Sequence, residues 1–255
     1  MSSDPTLTGL ARSWRTYRSN KAHWAGLADL YRPFINPGDL AFDIGAHMGD
    51  RSLVFRELGA RVVAVEPQTQ LVEVLKKTFR DDDAVTIVPK AVSSESGSIE
   101  FHVNSLNPSV STASPEFIAA GRGVDAWDGQ VWDAKVNIEA TTLDAMIAEH
   151  GQPAFIKIDV EGFEDRVLSG LSSTPASISF EFTTISKDVG VRSLERLSAL
   201  GDYRFNAIVG EGRGFVHDEW CTAADIEGWL QSLPVEANSG DIYAVMRDRL
   251  TKRMV

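Results

Sequence analysis

Phe42-Asp43-Ile44-Gly45-Ala46-His47-Met48-Gly49-Asp50 decides the fold. Leu40 to Ile44 is a short apolar strand, and Arg51 to Leu58 reads as a helix, so the two glycines sit in the turn between them. Glycine lets a backbone pass close to a ligand, and a helix start offers free N–H groups. Glu66 follows about twenty residues on, at the end of a second strand, Arg61 to Val65. A carboxylate there is placed to accept the hydroxyls of a ribose. Strand, glycine turn, helix, strand and acid together point to a nucleoside cofactor.

Outward from this turn the chain alternates strands and helices. A helix over Gln68 to Phe79 and a strand over Ala84 to Val88 come next. Later strands read at Ala154 to Asp159, Ser177 to Phe182, Arg204 to Val209 and Ile242 to Met246. Helices are expected at Leu143 to Glu149, from near Phe163, and at Val191 to Leu200. Such alternation implies right-handed crossovers and a parallel sheet. Ser98 to Val103 and Lys135 to Ala140 read as extra strands around a long polar stretch, Asn104 to Asp133, punctuated by proline and glycine. A loop of that length in a compact domain is usually functional or disordered. Its Trp127 and Trp132 are suited to pack on a flat substrate or to anchor the loop.

Before the core, Leu10, Trp14, Tyr17, Trp24 and Tyr31 share one helical face with Lys21 and Ala28, predicting an amphipathic helix from Leu7 to Tyr31 that Pro33 and Pro37-Gly38 end. It packs on the core or covers the substrate. The organisation expected is an N-terminal helical extension over residues 1–37 and a catalytic domain over 38–255, with 104–133 as a substrate-side loop.

The net charge of -11 disfavours phosphate backbones and anionic lipid surfaces, so no nucleic-acid partner is expected. No run approaches the ~20 apolar residues of a membrane helix. The single cysteine, Cys221, has no partner for a disulfide or a zinc site. With no secretory pattern in Met1 to Leu10, a reducing, cytoplasmic location is expected. His23, His102, His150 and His217 show no ligand spacing and read as surface or internally satisfied histidines.

Charge also bears on which nucleoside cofactor fits. The dinucleotide fingerprint G-x-G-x-x-G needs a glycine where His47 stands. Asp43 and Asp50 would repel a pyrophosphate but suit a ligand bearing an ammonium and a sulfonium. Coulomb sign therefore favours S-adenosylmethionine over NAD.

Three segments together resemble the FkbM methyltransferase family: FDIGAHMGDRS at 42–52, Val65-Glu66-Pro67, and IKIDVEGFEDRVL at 156–168. Lys90-Ala91-Val92-Ser93 with Gly97, and Thr142-Leu143-Asp144, resemble the family's intervening stretches, so the likeness runs from about 38 to 184. His47 departs from the Asn often found there. The resemblance implies a doubly wound, Rossmann-like class I methyltransferase with a seven-stranded sheet and an antiparallel final strand. It implies that Asp43, Gly45, Ala46 and Gly49 hold the amino-acid part of S-adenosylmethionine, Glu66 with Pro67 the ribose, and Lys90 and Ala91 the adenine. The acceptor it implies is a small hydroxylated molecule, a sugar, glycoconjugate or other natural product. N- or C-methylation, an NAD-type oxidoreductase and a non-catalytic cofactor-binding protein are the competing readings.

If the strand ending at Asp159 neighbours the first strand, as the resemblance implies, Asp159 and Glu161 face the reacting methyl. Residues two apart on a strand project to the same side. An alcohol must lose its proton as it attacks, so a nearby base helps. Asp159 is the first candidate, Glu161 and His47 the second, and Glu181 a third. Asp159 and Glu161 could instead cap the next helix. Asp159 and Glu181, on adjacent strand ends, could hold Mg²⁺, but no dedicated ligand spacing is present and no metal is assigned.

Overall fold

The computed structural model describes residues 4–20, 24 and 26–250. Its centre is a seven-stranded sheet. The strands are β1 (Leu40–Ile44), β2 (Arg61–Val65), β3 (Val85–Val88), β7 (Phe155–Ile158), β8 (Ser177–Thr183), β9 (Tyr203–Val209) and β10 (Ser239–Met246). They lie in the order β3-β2-β1-β7-β8-β10-β9. β10 runs antiparallel to both β8 and β9, and β1 is parallel to β2 and β7. The chain order thus reverses between β1 and β7, where open α/β sheets bind ligands beyond their strand ends. Five consecutive buried residues, Leu40 to Ile44, mark β1 as covered on both faces, the pattern of a parallel strand between helical layers.

Helices α3 (Asp50–Glu57), α4 (Thr69–Thr78), α6 (Leu143–His150), α7 (Glu164–Ser169), α8 (Lys187–Leu200) and α9 (Ala223–Ser232) connect the strands. One core cluster joins Phe42, Ile156, Ile158, Phe180 and Ile242 to Leu143, Leu168 and Leu194. A second joins Ala41, Val62 and Phe155 to Phe55, Leu75, Tyr31 and Phe34. The sheet is therefore buried from both sides.

β4 (Ala91–Val92), β5 (Gly97–Val103) and β6 (Ala134–Thr141) form a separate three-stranded sheet in the order β4-β6-β5. Between β5 and β6 the polar stretch is not structureless. It contains α5 (Pro115–Ala120) and two single 3₁₀ turns. Val110, Phe117 and Trp127 bury one another, with Phe117 and Trp127 edge to face at 4.9 Å. Trp132 adds a hydrogen bond from its Nε1 to the carbonyl of Val110, 2.9 Å. Three aromatics thus give this segment its own small core.

The N-terminal helix expected from Leu7 to Tyr31 is not continuous. α1 (Pro5–Ser13) passes into a π turn over Trp14–Arg18 that stops at Ser19, and α2 (Leu27–Tyr31) starts again after Gly26. Gly26 has φ 78, a left-handed conformation that a helix interior does not hold. Lys21 and His23 lie outside the described residues. α2 packs on the core, with Tyr31 against Phe55 and Phe155. Among the described residues no helix is long and apolar enough to cross a membrane.

Candidate active site

A cavity of about 380 Å³ opens beyond the carboxyl ends of β1, β7 and β8. Its walls come from the glycine turn, from Glu66 to Gln68, from Asp159 to Glu161, from Glu181 and Thr183, and from the 107–111 and 126–130 parts of the long segment. Arg12, Ser13, Thr16 and Tyr17 close it from the N-terminal side.

Both turn glycines are required by geometry. Gly45 and Gly49 have φ 83 and 75. A Cβ on Gly45 would stand 1.8 Å from the backbone oxygen of Asp159, so only glycine lets β1 and β7 end side by side. The amides of Gly45 and Ala46 donate to the carbonyl of Val65, at 3.0 and 2.9 Å, locking the turn onto β2. Asp43 is buried beneath it and accepts from the Ser52 hydroxyl at 2.5 Å. Burial pushes its carboxyl up to about 6, against the pull of Lys157.

Glu66 is 3% exposed at the cavity wall. Its two oxygens accept the amides of His47 and Gln68, at 2.9 and 2.8 Å. Burial raises it to about 7 although both bonds favour the anion. A carboxylate oxygen has two lone pairs, so each can still accept a ligand hydroxyl. Beside it lies an apolar slot formed by Ile44, Val65, Pro67, Ala91, Phe101 and Phe163. Carboxylate next to apolar slot is the complement of a nucleoside, and S-adenosylmethionine fits it. Lys90 also borders the slot, with its ammonium on Glu139 at 2.5 Å.

His47 sits in the turn with φ 48, and its Nε2 lies 3.1 Å from the Ser13 hydroxyl. Tyr17 meets the imidazole edge to face at 5.1 Å. Burial depresses its pKa to about 4, which keeps the ring neutral at physiological pH. The structure therefore ties His47 to α1 and the following turn.

The other end of the cavity is carboxylate-rich. Asp159, Glu161 and Glu181 each bring an oxygen within 4.8 Å of the other two. Lys157, 2% exposed, points its ammonium at Asp159, 2.6 Å away. Burial opposes the lysine charge, but Asp159 and Asp241 hold its pKa well above the usual value. Glu161 and Glu181 are both pushed well above the usual carboxylate range, by burial first and then by neighbouring carboxylates. Glu161 adopts φ 58, and Thr112 holds its carbonyl at 2.7 Å.

Capping falls to Glu164. It accepts the amides of Val160 and Gly162, at 3.0 and 3.3 Å, at the start of α7. The carboxylates of Asp159 and Glu161 therefore remain in the cavity wall. The sequence residues Asp43, Gly45, Ala46, His47, Glu66, Pro67, Asp159 and Glu161 all line one cavity, whereas Gly49 lies behind it against Leu75 and Phe79.

A model of the methyltransferase FkbM domain matches residues 43–230. No curated protein sequence matches the chain. Among solved structures, a TehB-like S-adenosylmethionine-dependent methyltransferase from Corynebacterium glutamicum aligns with a TM-score of 0.50 and 13% identity, over 96% of this chain and 100% of that one. A precorrin-6y C5,15-methyltransferase from Geobacter metallireducens aligns with a TM-score of 0.47 and 13% identity, over 91% of each chain.

Proposed function

The chain belongs to the FkbM methyltransferase family, and from that premise we propose that it methylates a hydroxyl of a small molecule, a sugar, glycoconjugate or other natural product. It is an S-adenosylmethionine-dependent methyltransferase. The bound cofactor supplies an electrophilic methyl on a sulfonium, and S-adenosylhomocysteine leaves. Glu66 would hold the ribose, the slot at Val65, Pro67 and Ala91 the adenine, and the glycine turn with Asp43 the amino-acid part.

The observation that carries the acceptor reading is the convergence of Asp159, Glu161 and Glu181 in the same cavity as Glu66. Asp159 orients the attacking hydroxyl and takes its proton as the C–O bond forms. Lys157 fixes that carboxylate from behind through the 2.6 Å contact. Glu161, whose proton affinity burial raises, stands next in line. Trp127, mostly buried against Phe117, borders the same cavity, where an aromatic ring suits the apolar side of a sugar ring. Most of the rate comes from holding nucleophile, methyl carbon and sulfur in line. The predominance of carboxylates also favours a second reading, N-methylation of an amine, since anionic walls attract cations.

The test is transfer of isotopically labelled methyl from S-adenosylmethionine to panels of hydroxylated and of amine acceptors, with the product's methyl linkage identified by NMR. Methyl ethers from sugars or polyols support the reading, and N-methyl products alone replace it with the second.

A further inference from the structure

We propose that Asp159, Glu161 and Glu181 form a binding site for one hard divalent cation, Mg²⁺ or Ca²⁺, which engages the acceptor through two adjacent oxygens. This deepens the reading above and rests on it for the acceptor, but not for the cation.

Three oxygens within 4.8 Å of one another have the spread of ligands on one ion. Oxygens bound at about 2.1 Å to Mg²⁺ stand roughly 3 to 4 Å apart, and at about 2.4 Å to Ca²⁺ roughly 3.4 to 4.8 Å. Among the described residues no other group of three acidic, histidine or cysteine side chains is so placed. All-oxygen donors select hard cations over zinc or copper.

A second observation points to a ligand here. The Oε2 of Glu181 is buried without a hydrogen-bond partner. So is the hydroxyl of Thr183, a residue 4% exposed, two positions further along β8 and lining the same cavity. Buried oxygens are normally satisfied, and these border one acidic cluster. Charge points the same way. Lys157 partners Asp159, whereas among the described residues neither Glu161 nor Glu181 is ion-paired.

The three ligands come from one side, since Asp159 and Glu161 follow β7 and Glu181 lies on the adjacent β8. A six-coordinate ion held so keeps positions open toward the cavity. Two neighbouring hydroxyls, or a hydroxyl beside a carbonyl, fill adjacent positions. The acceptor class is thus a vicinal diol or α-hydroxycarbonyl compound. The cation's charge lowers the proton affinity of the bound hydroxyl, and the proton it releases passes to Asp159 as the C–O bond forms.

The probe is Mn²⁺, titrated into the full chain with S-adenosylhomocysteine present and followed by electron paramagnetic resonance, with Mg²⁺ and Ca²⁺ as competitors. One saturable site is expected, displaced by Mg²⁺ or Ca²⁺ and weakened about 10–100-fold or more in Glu181→Gln. The metal-free melting temperature of Glu181→Gln should rise, because a crowded carboxylate is removed, while its Mn²⁺-induced rise is lost. Glu161→Gln, read in the same way, replaces Glu181→Gln if that variant does not fold. No saturable Mn²⁺ site, or unchanged affinity in the folded variant, overturns the proposal. Binding of S-adenosylhomocysteine in chelator is measured separately. If it binds and Mn²⁺ does not, the cation alone is lost, and if it does not bind, the methyltransferase reading fails.

Discussion

The two ends of the cavity are built from the same residue types but finished differently. At the cofactor end, Glu66 has two amides on its carboxylate and Asp43 has the Ser52 hydroxyl. At the acceptor end, Glu181 and Thr183 carry buried oxygens with no partner, and Glu161 faces other carboxylates. At the first end both carboxylates are held before any ligand arrives, so they keep their shape. The second is left open, so its groups are completed by what binds. Preorganised donors and acceptors cost no rearrangement on binding, whereas unsatisfied ones store a preference for a particular partner.

The largest effect expected from this contrast is in chemistry. Asp159→Asn keeps the shape of the side chain and loses its basicity. Single-turnover methyl transfer should fall about 10²–10⁴-fold, the usual contribution of a positioned base. Turnover at the wild-type rate would move the search to Glu161 and Glu181.

Gly45→Ala should break the wall common to both ends. The new Cβ meets the Asp159 backbone oxygen at 1.8 Å, in a backbone conformation of φ 83. A loss of roughly 3 kcal/mol or more in stability is expected by denaturant melting. A neutral result would mean that β1 and β7 can part without penalty.

Glu66→Ala should weaken cofactor binding by about 1–3 kcal/mol, the scale of lost hydrogen bonds to a charged group. Unchanged affinity would show that the ribose contact lies elsewhere.

The smallest effect is on pH dependence. Glu66 and Glu164 are raised to about 7 and about 8 in the folded state. The folded chain therefore holds protons that the unfolded chain has released, and the stability they contribute is lost as pH rises through those values. His47, depressed to about 4, acts in the opposite sense, but only below its unfolded value of about 6.5. Between pH 6.5 and 8.5 the ligand-free melting temperature should fall by on the order of a few °C. A rise across that window would contradict the assignment of raised carboxyls.

How much of this was legible in the chain follows from how local each signal is. The glycine turn and Glu66 depend on spacing along some twenty-five residues, and the alternating pattern located each strand of the main sheet. The two-residue β4 is too short to leave a periodicity. α9 was missed although Thr222 and Asp225 form a reciprocal cap at its start. The break before α2 hangs on a single glycine. Glu164 and Ser13 are not legible as site residues, because a cap formed across a turn and a wall brought in from thirty residues upstream are matters of tertiary packing, whereas Tyr17 lies on the helical face that the sequence places on the core or over the substrate. The long polar segment hid its own core for a similar reason, since Val110, Phe117 and Trp127 have no regular spacing. Glu181 is visible as a strand-end acid, whereas the burial of its Oε2 without a protein partner belongs to the three-dimensional packing.

The most direct test of the contrast is a calorimetric titration of S-adenosylhomocysteine into the wild type, Glu66→Ala and Asp159→Asn. Weakened binding is expected in Glu66→Ala, and affinity within about twofold of wild type in Asp159→Asn, a difference under ~0.4 kcal/mol. Wild-type affinity in Glu66→Ala together with lost binding in Asp159→Asn would contradict that contrast, by putting the cofactor where the acceptor is assigned.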